Sequence, residues 1–284
     1  MTYWRTVIAR RRRFAVRWAG AAALLTGVLL AAATSAPAAD RGADGRFEKR
    51  TSSHFVLYQD VDIDETGGLR GSRRFEQLVL EELERAYDRL DGFLALRPPR
   101  RIEVVVYDAA IFDANFGGLF RFPAAGFYRG VIRIRGSTQL TVQLGRVLHH
   151  ELVHAAFDAA APSLVLPAWF NEGIAEWFEA RTLGKRRLSG GELAYLVQAR
   201  RQGGLLPLAT LSASSFARLG PNAATVAYLQ SYGMIEYLAR RHGDRALRDF
   251  CEAVLRSRDI ERSLRRTYRM GLGELEAGFI ADLG

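Results

Sequence analysis

Cysteine is nearly missing from this sequence: Cys251 stands alone among 284 residues. No intrachain disulfide can form, so an apolar core has to hold the fold, and a chain of this length can bury enough surface to do so. Apolar residues make up 49% of the chain and charged residues 25%, which excludes an intrinsically disordered protein. After residue 45 there is no internal repeat and no low-complexity linker, which excludes a solenoid or a string of small modules. Also absent is an arginine- or lysine-rich stripe with interleaved aromatics, so nucleic acid is not an expected partner. The net charge of +9 does not alter this, because Arg5, Arg10 to Arg13 and Arg17 fall in residues 1–38 with no acid, leaving about +3 for the remainder.

Long apolar runs are scarce as well. The N-terminal run, Trp18 to Ala33, is shorter than the ~20 residues a membrane span usually needs. It follows an arginine-rich start and precedes "APAAD", where Ala36 and Ala38 form an A-x-A site. That order is the n-region, h-region and cleavage site of a secretory signal peptide, here residues 1–38. The alternative is an uncleaved anchor helix. "RRRRF" also echoes a twin-arginine export signal, within a segment dense in arginine. The expected location is therefore outside the cytoplasm, periplasmic or extracellular, with no stable membrane span once the signal is removed. Residues 39–51 read as a short flexible segment.

The remainder divides by periodicity. "SSHFVLYQDVD" (52–62) alternates apolar residues and predicts a strand, as does the β-branched "RRIEVVVYDA". "FYRGVIRIRG" reads as one further half-exposed or edge strand, able to accept an extended peptide beside it, with Val131 at its centre. "GSRRFEQLVLEELERAYDRLDGFLAL" has helical spacing and stops before Pro98 and Pro99. From Thr138 onward helices are predicted at about 139–158, 167–181, 190–202, 222–242, 244–256 and 271–283. Strands with one long helix come first and a helical half follows, an α+β arrangement in one domain over 52–284. Residues 52–158 form its sheet-bearing lobe and 159–284 its helical lobe.

Histidine is the other scarce residue, and three of the five fall within "LHHELVHAAFD", Leu148 to Asp158. His150 and His154 are i and i+4, so on a helix their imidazoles lie one turn apart on one face and can converge on one zinc ion. Glu151 stands beside them, where its carboxylate can reach a metal-bound water without being a ligand. His149 points about 100° away and is read as a bystander. A catalytic zinc uses three protein ligands and one open position. "PAWFNEGIAEWFEA" supplies the third: Glu172 follows His154 after seventeen residues, enough to end one helix, turn, and enter a second packed on the first. Glu176, one turn further on, suits an acceptor for a ligand histidine's N–H. Apolar bulk from Trp169, Phe170, Ile174, Trp177 and Phe178 surrounds both acids, which is not the pattern of a solvated acidic face.

"HELVH" followed by "WFNEGIAEWF" resembles the gluzincin metallopeptidases, the thermolysin-like zincins, and most closely the bacterial peptidase-MA-like proteins, over roughly residues 52–284. The resemblance implies a zincin-like fold with an N-terminal mixed or antiparallel sheet and a mostly helical second half. It implies one zinc per chain on His150, His154 and Glu172, with Glu151 as general base in the hydrolysis of a peptide or protein substrate. It further implies supporting roles for Asp158 and Asn171, and for Glu176 where thermolysin-like helices carry an aspartate. A proton donor to the oxyanion is implied on a later helix. "ATVAYLQSYGMIEYLARRHG" offers Tyr228, with Tyr232 as the alternative. The competing expectation is a silent zinc-binding or cell-envelope interaction module on the same fold.

Overall fold

The computed structural model describes residues 46–61, 63 and 70–284. The expected signal peptide, 1–38, lies outside the described residues. The elements run β1 (Glu48–Thr51), β2 (Phe55–Asp60), α1 (Arg70–Leu94), β3 (Ile102–Tyr107), α2 (Ala109–Phe116), β4 (Gly126–Tyr128), β5 (Ile132–Arg135), α3 (Val142–Ala160), α4 (Ala168–Thr182), α5 (Gly190–Arg201), α6 (Leu208–Leu211), α7 (Pro221–His242), α8 (Asp244–Ser257), α9 (Ile260–Tyr268) and α10 (Leu272–Asp282). This is the expected α+β division, a small sheet followed by a mostly helical half.

The sheet order is β1-β2-β3-β5-β4. Its three central strands are parallel, with Phe55 opposite Ile102 and Val104 opposite Ile132, and an antiparallel strand closes each edge. Period-2 alternation explains the buried face: Phe55 and Leu57, Ile102, Val104 and Val106, Ile132 and Ile134 all point into the core. Helix α1 covers that face with Val79, Leu83, Ala86, Leu90 and Leu94, each fully buried. Every such leucine contributes about 1.5–3 kcal/mol by leaving water.

Three segments depart from the sequence expectation. Residues 48–51, read as part of a flexible segment, pair antiparallel with β2 as an edge strand. Their alternation was too short and too polar to register. "FYRGVIRIRG" is not one strand but a hairpin, β4 and β5, with Gly130 at φ +74° in the turn. A residue without Cβ adopts that left-handed backbone without strain. Val131 sits in the turn, and β4 is the sheet's edge while β5 is interior. Helix α9 has no counterpart in the expected elements, because its charged "IERSLRRTY" offers few apolar residues to mark a helical period.

Helix α3 packs on the sheet side, α4 lies against it, and α7 packs closely on α4. Gly173 permits that last approach: a Cβ there would stand 2.6 Å from the Ser231 carbonyl oxygen and 2.8 Å from Ile235 Cγ1. The glycine of "NEGIAE" thus sets how far α4, and the Glu172 beside it, can sink towards α7.

Candidate metal centre

Helix α3 starts at Thr141, whose hydroxyl accepts the Leu144 N–H at 3.1 Å and satisfies one open donor of the first turn. Its buried stripe of Leu144, Leu148, Leu152 and Ala155 fixes the helix rotation and aims the opposite face at α4. Along that second face lie His150 and His154, and α4 presents Glu172 to them.

The geometry is convergent. Glu172 Oε2 lies 3.2 Å from His150 Nε2 and 3.5 Å from His154 Nε2. On the far side of the second ring, His154 Nδ1 is 3.1 Å from Asn171 Oδ1. With Nδ1 carrying the proton towards Asn171, His154 keeps Nε2 as a lone-pair donor. One donor atom from each of His150, His154 and Glu172 lies within 4.8 Å of the others. Donors on a tetrahedron with ~2.0–2.1 Å metal bonds stand about 3.3 Å apart, so the spacing of these two imidazoles and one carboxylate fits a zinc ion.

The electrostatics point the same way. Burial opposes charge on all three groups, yet opposite charges nearby drive each to its charged form. The Glu172 carboxyl is held far below the usual range by His154 and His150 despite its burial. His150 is raised well above an ordinary imidazole, and His154 is raised, because the surrounding carboxylates outweigh desolvation. A charged group so largely withdrawn from water is costly unless its members are paired or hold a metal. Glu151 behaves differently. Burial pushes its pKa up, opposed by the two histidines, and its Oε2 is buried with no hydrogen-bond partner among the described residues.

Other expected residues are placed as follows. Glu176 Oε1 lies 3.8 Å from His150 Nδ1, and burial together with Glu179 pushes its pKa up to about 7. Asp158 accepts a hydrogen bond at 2.7 Å from the Tyr128 hydroxyl. Tyr228 lines the cleft, its ring centroid 6.5 Å from that of His150, wedged by Phe122 and Phe216. Tyr232 does not line it; its ring is buried in the core with Lys185 Nζ 4.6 Å above it. His149 is a fastener rather than a bystander. Its Nδ1 is 2.7 Å from Thr182 Oγ1 and its Nε2 lies 2.8 Å from Glu82 Oε1, so the ring sits between α3, α4 and α1, and burial lowers its pKa despite Glu82.

Two residues of the site were not read from the sequence. Glu179 pairs with Arg146 and approaches His150; its spacing of seven from Glu172 was the available signal. The Tyr128 N–H bonds the Glu151 carboxylate from β4, a contact across the sheet that no local pattern announces.

Two cavities meet at the motif. One, of about 350 Å³, is lined by Phe122, Pro123, Val147 and Ala224 together with Arg146 and Glu179. The other, of about 600 Å³, runs past His154, Asp158, Asn171 and Arg129. Both reach His150, Glu151 and Tyr228, so the cleft continues across the site.

Residues 102–283, which include every element from β3 to α10, match the family model described as the Peptidase MA superfamily. The chain belongs to that superfamily. Among solved structures, this Peptidase MA superfamily member is similar to the M1 zinc metallopeptidase of Deinococcus radiodurans. The identity is 14%, the TM-score 0.42, and the match covers 83% of this chain and 51% of that one. A mutant of the same enzyme matches at 15% identity and TM-score 0.45, over 84% of this chain and 52% of the other. The chain thus spans about half the length of the solved structures it matches. No curated protein matches it.

Proposed function

We propose that this superfamily member is an exported zinc-dependent peptidase, with His150, His154 and Glu172 as the zinc ligands and Glu151 as the general base. The observation that carries the reading is the convergence of two imidazole nitrogens and one carboxylate oxygen beside a buried, partly unpartnered glutamate. A zinc ion held there supplies a Lewis acid that makes water a competent nucleophile near neutral pH and polarises the scissile carbonyl.

The chain's own groups supply the rest. Glu151 takes the proton of the attacking water as the C–O bond forms, and burial, by raising its pKa, moves it towards the working range of a general base. As the C–N bond breaks, the same carboxyl delivers that proton to the leaving amine. The Tyr228 hydroxyl donates to the oxyanion that develops between these steps. Asn171 and the carboxylates behind His150 hold the two rings in their tautomers.

The extended substrate lies across the cleft along β4. Arg129 N–H bonds Val131 O and Arg135 N–H bonds Ala125 O, so the backbone groups of 125 and 129 are spent inside the hairpin. By antiparallel alternation those of Gly126 and Tyr128 face outward, on the side of Glu151; the Tyr128 N–H is taken by that carboxylate, which leaves the Tyr128 carbonyl and both groups of Gly126 for the substrate.

The test is metal analysis of the purified mature protein together with a broad peptide-library cleavage assay. The expected result is about one zinc per chain and cleavage that chelation abolishes and zinc restores. A folded protein that takes up no zinc overturns the reading. A zinc-loaded protein that cleaves no member of the library favours the silent module instead.

A further inference from the structure

The cluster behind the metal centre holds one more acid than the peptidase reading uses. His150 Nδ1, the ring nitrogen turned away from Glu172, faces two carboxylates at nearly equal range: Glu176 Oε1 at 3.8 Å and Glu179 Oε2 at 3.7 Å. Distance alone does not choose between them. Their anchoring does. Glu179 Oε1 accepts a short hydrogen bond from Arg146 Nε, whereas Glu176 has no other hydrogen-bond or ion-pair partner among the described residues. Arg146 lies one turn before His150 on the same face of α3, so the contacts close a triangle from α3 to α4 and back to α3. The Glu179 side chain is only 7% exposed, and a guanidinium always carries charge, so the pair fixes a carboxylate whose free oxygen points at the His150 ring.

Resting on the assignment of His150 as a zinc ligand, we propose that Glu179, locked by Arg146, is the residue that orients His150 for metal binding, with Glu176 in a lesser role. Glu179 is a positioning residue: it acts through the ring and touches neither the metal position nor the substrate. The arrangement has a physical reason. A ligand imidazole must present Nε2 along one direction, and a carboxylate pinned on its outer oxygen holds the ring's N–H more rigidly than a carboxylate on a free side chain.

Three proteins test this: wild type, Glu179→Gln and Glu176→Gln, each made metal-free and titrated with zinc against a competing chelator. Loss of the partner of a ligand histidine typically weakens metal binding 10–100-fold. That loss is expected for Glu179→Gln, with a smaller one for Glu176→Gln. Cobalt-loaded protein gives a second readout, since the visible spectrum of the ion follows ligand orientation; a changed band shape is expected for Glu179→Gln alone. Because breaking a buried pair on one side can unfold a protein, the double variant Arg146→Met with Glu179→Leu removes both charges together, a replacement that is often near neutral for stability. It is expected to fold and still to bind zinc 10–100-fold more weakly. Wild-type zinc affinity in a folded Glu179→Gln or double variant overturns the proposal, as does a larger loss in Glu176→Gln. If wild type itself takes up no zinc, the metal assignment has failed, and this positioning role fails with it.

Discussion

At the scale of single residues, the site separates groups that share a chemical type. Glu151 is buried and Glu172, twenty-one positions on, half-buried, yet burial raises the first while two histidines force the second to stay ionised. One is suited to exchange protons and the other to hold charge. Replacing Glu151 by Gln keeps the shape and removes the base, so kcat on a cleaved peptide is expected to fall by ~10²–10⁴, the usual worth of a positioned acid–base group, with the zinc content unchanged. Retained turnover would remove Glu151 from the role of base. The two tyrosines on α7 are also told apart. Tyr228 borders both cavities, whereas Tyr232 is packed under Lys185, where burial carries its pKa far up. Tyr228→Phe is expected to lower kcat by about 10²–10³, as loss of one oxyanion donor does, and Tyr232→Phe to leave it nearly unchanged. Equal kcat values for the two variants would deny Tyr228 its part as donor.

At the scale of elements, the fold holds the trio together by the closeness of α4 to α7. A methyl group on residue 173 would meet the Ser231 carbonyl, which belongs to a helix backbone and cannot swing aside. Gly173→Ala is therefore expected to cost about 1–3 kcal/mol by overpacking and to weaken zinc binding as Glu172 is displaced. Gly273→Ala, with nothing within 4 Å of the added methyl, serves as control and is expected to be neutral or stabilising. Denaturant midpoints and zinc titrations read both effects, and a Gly173→Ala protein as stable as wild type would show that α7 yields. The edge strand makes a second prediction. Peptides N-methylated beside the scissile bond lose a hydrogen bond to β4, and at about 0.5–1.5 kcal/mol per bond their KM is expected to rise roughly two- to tenfold with kcat less affected. Flat KM values across a methylation series would mean that the substrate does not pair with Gly126 and Tyr128. These elements also show what a sequence can disclose. His150, Glu151 and His154 were legible because a helical repeat places neighbours by counting, and Glu172 because its helix repeats the same logic amid apolar residues. The hairpin of β4 and β5 was not, since alternation runs through the turn at Gly130 without a break and only pairing reveals the edge. The partner of Asp158 was hidden for a related reason: its spacing from His154 fixes its helical face, but the hydroxyl it accepts from belongs to Tyr128 on the sheet.

At the scale of the whole molecule, the candidate metal centre joins the two halves. His150 and His154 come from a helix packed on the sheet, Glu172 from a helix buried against α7, and the described residues contain no disulfide to help. Among those residues no helix is long and apolar enough to cross a membrane. The proposed export rests on the sequence of residues 1–38 alone; a mature protein whose mass begins after Ala38 is its expected product, and retention of the N-terminus would favour the anchor. Folding and metal binding should then be coupled. A ligand set drawn from two helices exists only in the native state, so zinc stabilises that state by mass action, about 2.7 kcal/mol at a hundredfold excess over its Kd. For a chain of this size each kcal/mol moves the Tm by roughly 2–4 °C. Removing the metal with a chelator is expected to lower the Tm by about 5–10 °C, and restoring zinc to reverse the loss. The same treatment of a His154→Ala protein should shift the Tm much less, because the trio is already broken. A chelator-independent Tm in wild type would place the metal, if bound at all, outside the junction of the two halves.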